Sequence, residues 1–199
     1  GQAGVILDAL SYYDNVKVVA FFDNTPNKIN EEINGIPVVG NIDEMTGFDD
    51  IKIDAVHVAI GDNKARYDIY KELESMGFQL LSIIHPSAVI SPSAKIGEGC
   101  FVGANAVIQN NVIINDYVLI NTAALIEHDN VIGKAVHIAP GACTAGRVEI
   151  HDLAFLGIGA LVVPDVTIGR SAFINAGVLV KRNVADGLTM VGYTAKVHS

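Results

Sequence analysis

At 199 residues, half of them hydrophobic, the chain has room for one or two domains around a substantial core. Its formal charge of -9 repels phosphate backbones, which argues against nucleic-acid binding. No apolar run reaches the roughly 20 residues that a membrane-spanning helix needs, and two cysteines, Cys100 and Cys143, suggest no disulfide framework. No basic-then-apolar leader is visible, so a reducing cytoplasm is the expected location.

Residues 1–83 alternate between strand and helix patterns. Gly1-Gln2-Ala3-Gly4 runs straight into the apolar residues 5–10 and reads as a glycine turn opening a helix. A first strand ordinarily precedes such a turn, and this sequence begins in the turn itself. Residues 17–23 predict a strand, 36–39 a shorter one, and 54–61 a third that ends on Gly61. Residues 63–76 have helical spacing, with Ala65, Ile69, Leu73 and Met76 on one side, and Gly77 stops them. Residues 78–84 return as a strand. The alternation predicts a small parallel α/β domain of Rossmann-like character.

Nucleotide-binding chemistry is present there in outline. Backbone N–H groups at a helix start, approached closely through glycines, suit a phosphate. Asp23, about twenty residues on at a strand end, can take ribose hydroxyls or a base. The fingerprint is incomplete, and a glycine turn used only for helix packing is the plainer alternative. An NAD-dependent enzyme would need a second catalytic domain of a kind the rest of the chain does not offer.

From residue 84 to residue 185 the pattern changes to a six-residue period. Every sixth position from Ile84 to Val180 is aliphatic at sixteen of seventeen places, and Thr144 is the exception. Four residues after each stands something small, from Ala88 and Ala94 through Cys100 to Val184. In a short strand side chains alternate, so one branched aliphatic points inward while its neighbours point out. Three hexads make one triangular coil of eighteen residues, and coils stack in parallel at roughly 4.8 Å. An ordinary β-sandwich is the competing architecture. Outward apolar residues (Val107, Ile113, Leu119, Leu125, Val131) leave more bare surface than a lone copy usually exposes.

The strongest chemical constellation is Ile126-Glu127-His128-Asp129-Asn130. A histidine flanked by carboxylates at a corner of the coil can act as a general base, its tautomer fixed by the carboxylate. Adding eighteen to 128 lands on Gly146, one coil along in the same corner column. An N–H with no side chain beside it suits the oxygen of a reacting carbonyl. Thr144 falls in that same hexad, which hints at local irregularity. His128, His137 and His151 lack metal-ligand spacing, so no metal is expected; an exposed histidine with no role is the bland alternative.

These residues bear a family resemblance. The glycine turn, Phe22-Asp23-Asn24, Ala59-Ile60-Gly61-Asp62-Asn63 with Arg66, Ile84-His85-Pro86-Ser87-Ala88, Asn121-Thr122, Glu127-His128-Asp129 and Val191-Gly192-Tyr193-Thr194-Ala195-Lys196 span nearly the whole length. The chain resembles hexapeptide-repeat sugar acetyltransferases of the sialic acid O-acetyltransferase and UDP-4-amino-sugar (bacillosamine or perosamine type) N-acetyltransferase family. The resemblance implies an α/β domain (1–83) that holds a nucleotide-linked amino sugar. It implies a left-handed parallel β-helix (84–185) as catalytic domain and a tail (186–199) near the CoA site. It also implies acetyl-CoA as donor and a homotrimer with active sites between neighbouring solenoids.

By the same likeness His128 is the base and Asp129 raises its basicity. His137 and Gly146 contact acetyl-CoA, and Ile158 and Ala176, again eighteen apart, line its pantetheine arm. Gly1, Gln2, Asp23, Asn24, Gly61 and Lys64 fall at sugar-nucleotide positions. Three residues depart from the family pattern: Gln2 stands where histidine is usual, Asn24 where a second aspartate often occurs, and Thr194 where proline closes the last motif. The first two bear on the acceptor and the third on the cofactor tail. The expected reaction is direct attack of an amine, on C4 of a nucleotide-linked deoxy sugar, on the thioester. O-acetylation of a sialic acid or related sugar is the alternative. A non-enzymatic scaffold is the other, against which the Glu127-His128-Asp129 corner and the closing motif argue.

Overall fold

The computed structural model of the chain describes residues 1–25, 28–29, 31–47 and 52–192. Helix α1 (Gln2–Leu10) begins at the predicted turn with Gly1 as its N-cap, and buries Ile6 and Ala9. Their partners are Ile83, Phe101 and Leu119 on the solenoid. Strand β1 (Phe21–Phe22) runs parallel to β3 (Ile36–Gly40), and β2 (Glu32–Ile33) adds to β3 antiparallel. A short 3₁₀ turn, Ile42–Gly47, follows and buries Ile42 and Met45.

Three of the predicted strands are shorter than expected. The 17–23 stretch contracts to Phe21–Phe22, where its register against β3 slips. The 54–61 stretch contracts to a single bridge between Val56 and Leu80, and of 78–84 only that bridge and Ile83–Ile84 remain. Side chains explain the second loss. Val56 N–H donates to Gln79 and Leu81 N–H donates to Val56, and the next rung would join Val58 N–H to the Leu81 carbonyl. Instead Val58 N–H donates to Tyr70 Oη at 3.0 Å, and Leu81 O accepts from His57 Nδ1 at 2.9 Å.

Helix α2 (Asn63–Ser75) starts at Asp62, whose carboxylate accepts Ala65 N–H at 2.8 Å. It stops before Gly77, whose φ of +83° no helix continues through. Its buried side is Arg66, Tyr70 and Leu73. The expected face of Ala65, Ile69 and Met76 is only half-buried, because hydrogen bonds to every side of Arg66 carry that cation into the contact.

The eighteen-residue coil is realised in register. Leu119 lies opposite Phe101 and His137, Leu125 opposite Val107 and Cys143, and Val131 opposite Ile113 and Glu149. Two-residue strands stack into three parallel faces: a first of seven (Ile83–Ile84 to Thr189–Met190), a second of six (Val89–Ile90 to Leu179–Val180) and a third of five (Lys95–Ile96 to Thr167–Ile168). Inside, the sixth-position aliphatics pack with Cys100, Ala106 and Ala124 in one continuous core. Thr144 takes its place among them, its Oγ1 without a hydrogen-bond partner among the described residues. The corners keep the same period. Every sixth residue from Gly99 to Gly177 has a left-handed backbone, with φ between +52° and +67°. Of the outward apolar residues, Leu119 is buried beneath α1, contrary to its expected exposure, whereas Ile113 and Val131 are exposed.

Candidate active site

His128 stands at the corner that follows Leu125–Ile126 on the second face. Asn130 builds that corner from within. Fully buried, it donates Nδ2 to the carbonyls of Glu127 at 2.8 Å, His128 at 3.2 Å and Ala145 at 2.8 Å. The left-handed backbone of Asp129 (φ +59°) turns its carboxylate back on the imidazole, 2.8 Å from Nδ1 to Oδ2. A carboxylate only accepts, so Nδ1 carries the proton and Nε2 keeps a free lone pair. Asn111, one coil back, donates to the other oxygen at 3.0 Å. These bonds, that of His128 first and that of Asn111 second, hold the Asp129 carboxyl below its usual range. Of the two flanking carboxylates only Asp129 bonds the ring. Glu127 lies towards Cys143, whose thiol is pushed up by burial first and by the Glu127 charge second.

Gly146 lies one coil along, as the arithmetic of the repeat requires, with Arg147 N–H bonded to the His128 carbonyl at 3.0 Å. The imidazole covers it. A Cβ on Gly146 would stand 2.5 Å from Cε1 and 2.6 Å from Nε2 of His128. Its amide N–H has no partner among the described residues.

Ile158 and Ala176 form a second group at a different edge of the triangle, the corner after the first face. Gly177 N–H bonds the Ile158 carbonyl at 2.8 Å, and both side chains are exposed, Ile158 at 62%. One copy of the chain therefore does not bring them to His128 and Gly146. His137 is on the outer side of the first face. Its Nδ1 donates to the Gly61 carbonyl at 3.3 Å, and Phe155 meets its ring edge-on at 4.9 Å. Burial first, and the charge of Arg66 second, push its pKa down to about 4, so the ring is neutral. Its Nε2 is buried without a donor.

The remaining candidates each have partners of their own. Gly1 caps α1 at an exposed position, and Gln2 buries an unpaired Nε2. Asp23 accepts from Thr25 N–H at 2.9 Å and Lys28 Nζ at 3.1 Å. Burial works to raise its pKa, but those two donors outweigh it and hold it low. Asn24 spends its carbonyl on Ile42 N–H at 2.8 Å, which ties β1 to the 3₁₀ turn. Gly61 is joined to His137, and Lys64 pairs with Asp68 along α2. Among the described residues no group of three or more His, Cys, Asp or Glu side chains could hold a metal ion. No described helix is long and apolar enough to cross a membrane.

Comparison with known proteins bears on the whole chain. Residues 1–73 match the family described as the PglD N-terminal domain, and 82–110 and 93–128 match the bacterial transferase hexapeptide (six repeats) family. A histidine-to-asparagine variant of perosamine N-acetyltransferase from Caulobacter crescentus, solved with CoA and GDP-perosamine, is 36% identical. It superposes at a TM-score of 0.91 over 100% of this chain and 93% of its own. The chain belongs to the hexapeptide-repeat sugar N-acetyltransferases. The acetyltransferase domain of PglB from Neisseria gonorrhoeae, in complex with acetyl coenzyme A, is 32% identical at a TM-score of 0.89, covering 96% and 92% of the two chains. WeeI from Acinetobacter baumannii is 29% identical at 0.86 with the same coverage.

Some residues of these motifs have structural roles that their place in the sequence does not announce. Asn63 donates to the carbonyls of Leu153 and Ala154 at 3.0 and 2.9 Å. Arg66 was part of the motif but carried no role, and it is buried at the junction of α2 and the solenoid. Arg66 and Asn130 each carry a signal in the sequence. Arg66 occupies the i position of the buried i, i+4, i+7 set with Tyr70 and Leu73. Asn130 is a polar member of the small inward series. The closing motif from residue 193 to 196 lies outside the described residues.

Proposed function

We propose that the chain moves an acetyl group from acetyl-CoA to an amine on C4 of a nucleotide-linked deoxy sugar. The observation that carries this reading is the corner where His128, held by Asp129, covers Gly146. The amine attacks the thioester carbonyl and His128 Nε2 takes its proton. Gly146 N–H meets the oxygen as charge builds on it, and the proton leaves with the CoA thiolate. His137, neutral and with Nε2 unpaired, is suited to accept an amide N–H of the pantetheine arm. Gly1, Gln2, Asp23, Asn24, Gly61 and Lys64 hold the nucleotide sugar. Asp23 is kept ionised for ribose or base, while Asn24, its oxygen already engaged by Ile42 N–H, offers chiefly its amide nitrogen.

The working unit is a homotrimer. The outer column of the second face is Val89, Val107, Leu125, Cys143, Leu161 and Leu179, with Val89, Leu161 and Leu179 exposed. Packing copies around that column covers it. It also lets Ile158 and Ala176 of one copy meet His128 and Gly146 of the next, which a single copy keeps on separate edges. Titration calorimetry with UDP-, GDP- and dTDP-linked 4-amino sugars, alone and with CoA, tests the reading. One of the panel should bind and be converted to the N-acetyl product. Acetylation of free sialic acid hydroxyls, with none of the panel bound, would contradict it.

A further inference from the structure

The first turn of α2 reads one corner carbonyl on three successive coils. Arg66 Nε donates to Tyr117 O at 2.9 Å, Arg66 Nη2 to Ala135 O at 2.8 Å, and Asn63 Nδ2 to Leu153 O at 3.0 Å. Those three carbonyls belong to one column of left-handed corners, with φ of +65°, +52° and +64°. Secondary bonds reach the following residues, Val136 at 3.3 Å and Ala154 at 2.9 Å. The two side chains also brace each other, Arg66 Nη2 donating to Asn63 Oδ1 at 3.0 Å. The guanidinium's remaining edge turns to the α/β unit, where Nη1 donates to Ile60 O at 3.0 Å and Gly61 O at 3.2 Å.

Arg66 is 2% exposed, and burial draws its pKa down to about 10. Its hydrogen-bond acceptors are neutral amide oxygens, five main-chain and one from Asn63. An apolar side chain of similar size would fill the space without desolvating a charge. It could not fix the height of α2 against three coils, and a planar fork of donors can. The loop fixed in this way ends at Gly61, whose carbonyl also accepts from His137. The coil gripped through Ala135 and Val136 is the one that carries His128.

We propose that Asn63 and Arg66 are positioning residues that set the distance between the loop at Gly61 and the acetyl-transfer coil. The inference rests on the reading that Gly61 helps to hold the nucleotide sugar. A displacement of about 1 Å between reacting groups can lower a rate by up to about 10²-fold. The clamp therefore acts chiefly on the acceptor, and touches the donor only through His137, which bonds the Gly61 carbonyl.

The test uses the full chain and the nucleotide-linked 4-amino sugar that it acetylates fastest among UDP-, GDP- and dTDP-linked forms. Arg66→Lys keeps the charge and loses the fork. It should raise the acceptor KM or lower kcat by about tenfold or more, with a clearly smaller change in the acetyl-CoA KM. Arg66→Ala should show the same split, and ethylguanidinium should recover part of the acceptor constant. Should either Arg66 variant fail to fold, Asn63→Ala, which removes the grip on Leu153 and Ala154 and the brace to Arg66, should give a smaller shift of the same kind. A lowered Tm with both KM values and kcat per folded chain unchanged would overturn the inference and leave a structural role. Asp23→Ala separates the two layers of argument. If it raises the acceptor KM while the clamp variants do not, only the inference falls. If the unmodified chain acetylates none of the panel, the underlying reading falls and the inference with it.

Discussion

A Cβ on Gly146 would meet the His128 ring at 2.5 Å, and the backbone there is of ordinary conformation, so the obstacle to any side chain is the ring. Gly146→Ala should displace the imidazole and lower kcat by about 10²-fold, while thermal unfolding moves by only a few degrees. Normal kcat would remove that contact from the mechanism. His57 and His137 make a second residue-scale prediction, about pH. Burial pushes both pKa values down to about 4, against about 6.5 in an unfolded chain. The unfolded state therefore binds more protons between those values. Stability that is fully present above pH 6.5 should fall as the pH drops towards 4, by about 3 kcal/mol for each fully buried ring. Urea midpoints at pH 7, 5.5 and 4.5 measure it, and a His57→Asn variant should show a shallower fall. Midpoints that do not change with pH would contradict the burial of these rings.

At the scale of elements, the third corner of the coil is held by aspartates over glycines. Asp116 Oδ1 accepts Glu98 N–H at 3.1 Å, Asp152 accepts Lys134 N–H at 2.8 Å, and Asp186 accepts Arg170 N–H at 2.7 Å. Gly97, Gly133 and Gly169 leave room for them, since a Cβ at each would come within 2.5 Å of an aspartate atom. Asp152 also receives Arg170 Nη1 at 3.1 Å. Asp152→Ala should destabilise the coil by about 1 kcal/mol, since the lost bonds are partly solvated. Denaturant unfolding would read it, and an unchanged midpoint would mean that water replaces the cap fully. The solenoid was legible in the sequence because each rung repeats the last. The inward series at every sixth residue and the step of eighteen are enough to put Gly146 beneath His128. The α/β unit was less legible. The 54–61 strand yields its rungs to Tyr70 and His57, Leu119 disappears under α1, and Arg66 turns inward. All three depend on how two unlike units dock, and docking leaves no period in a sequence.

For the whole molecule, the apolar second face and the separated corner groups point to the same assembly. Leu161→Arg introduces a charge in that outward column and leaves the coil interior, at Val162, untouched. It should prevent the proposed trimer from forming, abolish most activity and preserve the β-rich circular dichroism of the coil. Light scattering that showed the unmodified chain to be a stable monomer at micromolar concentration would end the shared-site account. Restoration of activity on mixing His128→Ala chains with Ile158→Arg chains would support it directly, because each copy would supply the corner the other lacks.

The central claim is that His128 takes the proton from the attacking amine. Its most direct measurement is kcat of His128→Ala with donor and acceptor both saturating. Acetyl-CoA should bind that variant nearly as well as the unmodified chain, since the side chain faces the reacting nitrogen. Its kcat should fall by about 10²–10⁴-fold, and Asp129→Asn, which leaves the base in place, should lose less. A His128→Ala enzyme that retained most of its kcat would contradict the account, and would mean that solvent removes the proton and the corner contributes only positioning.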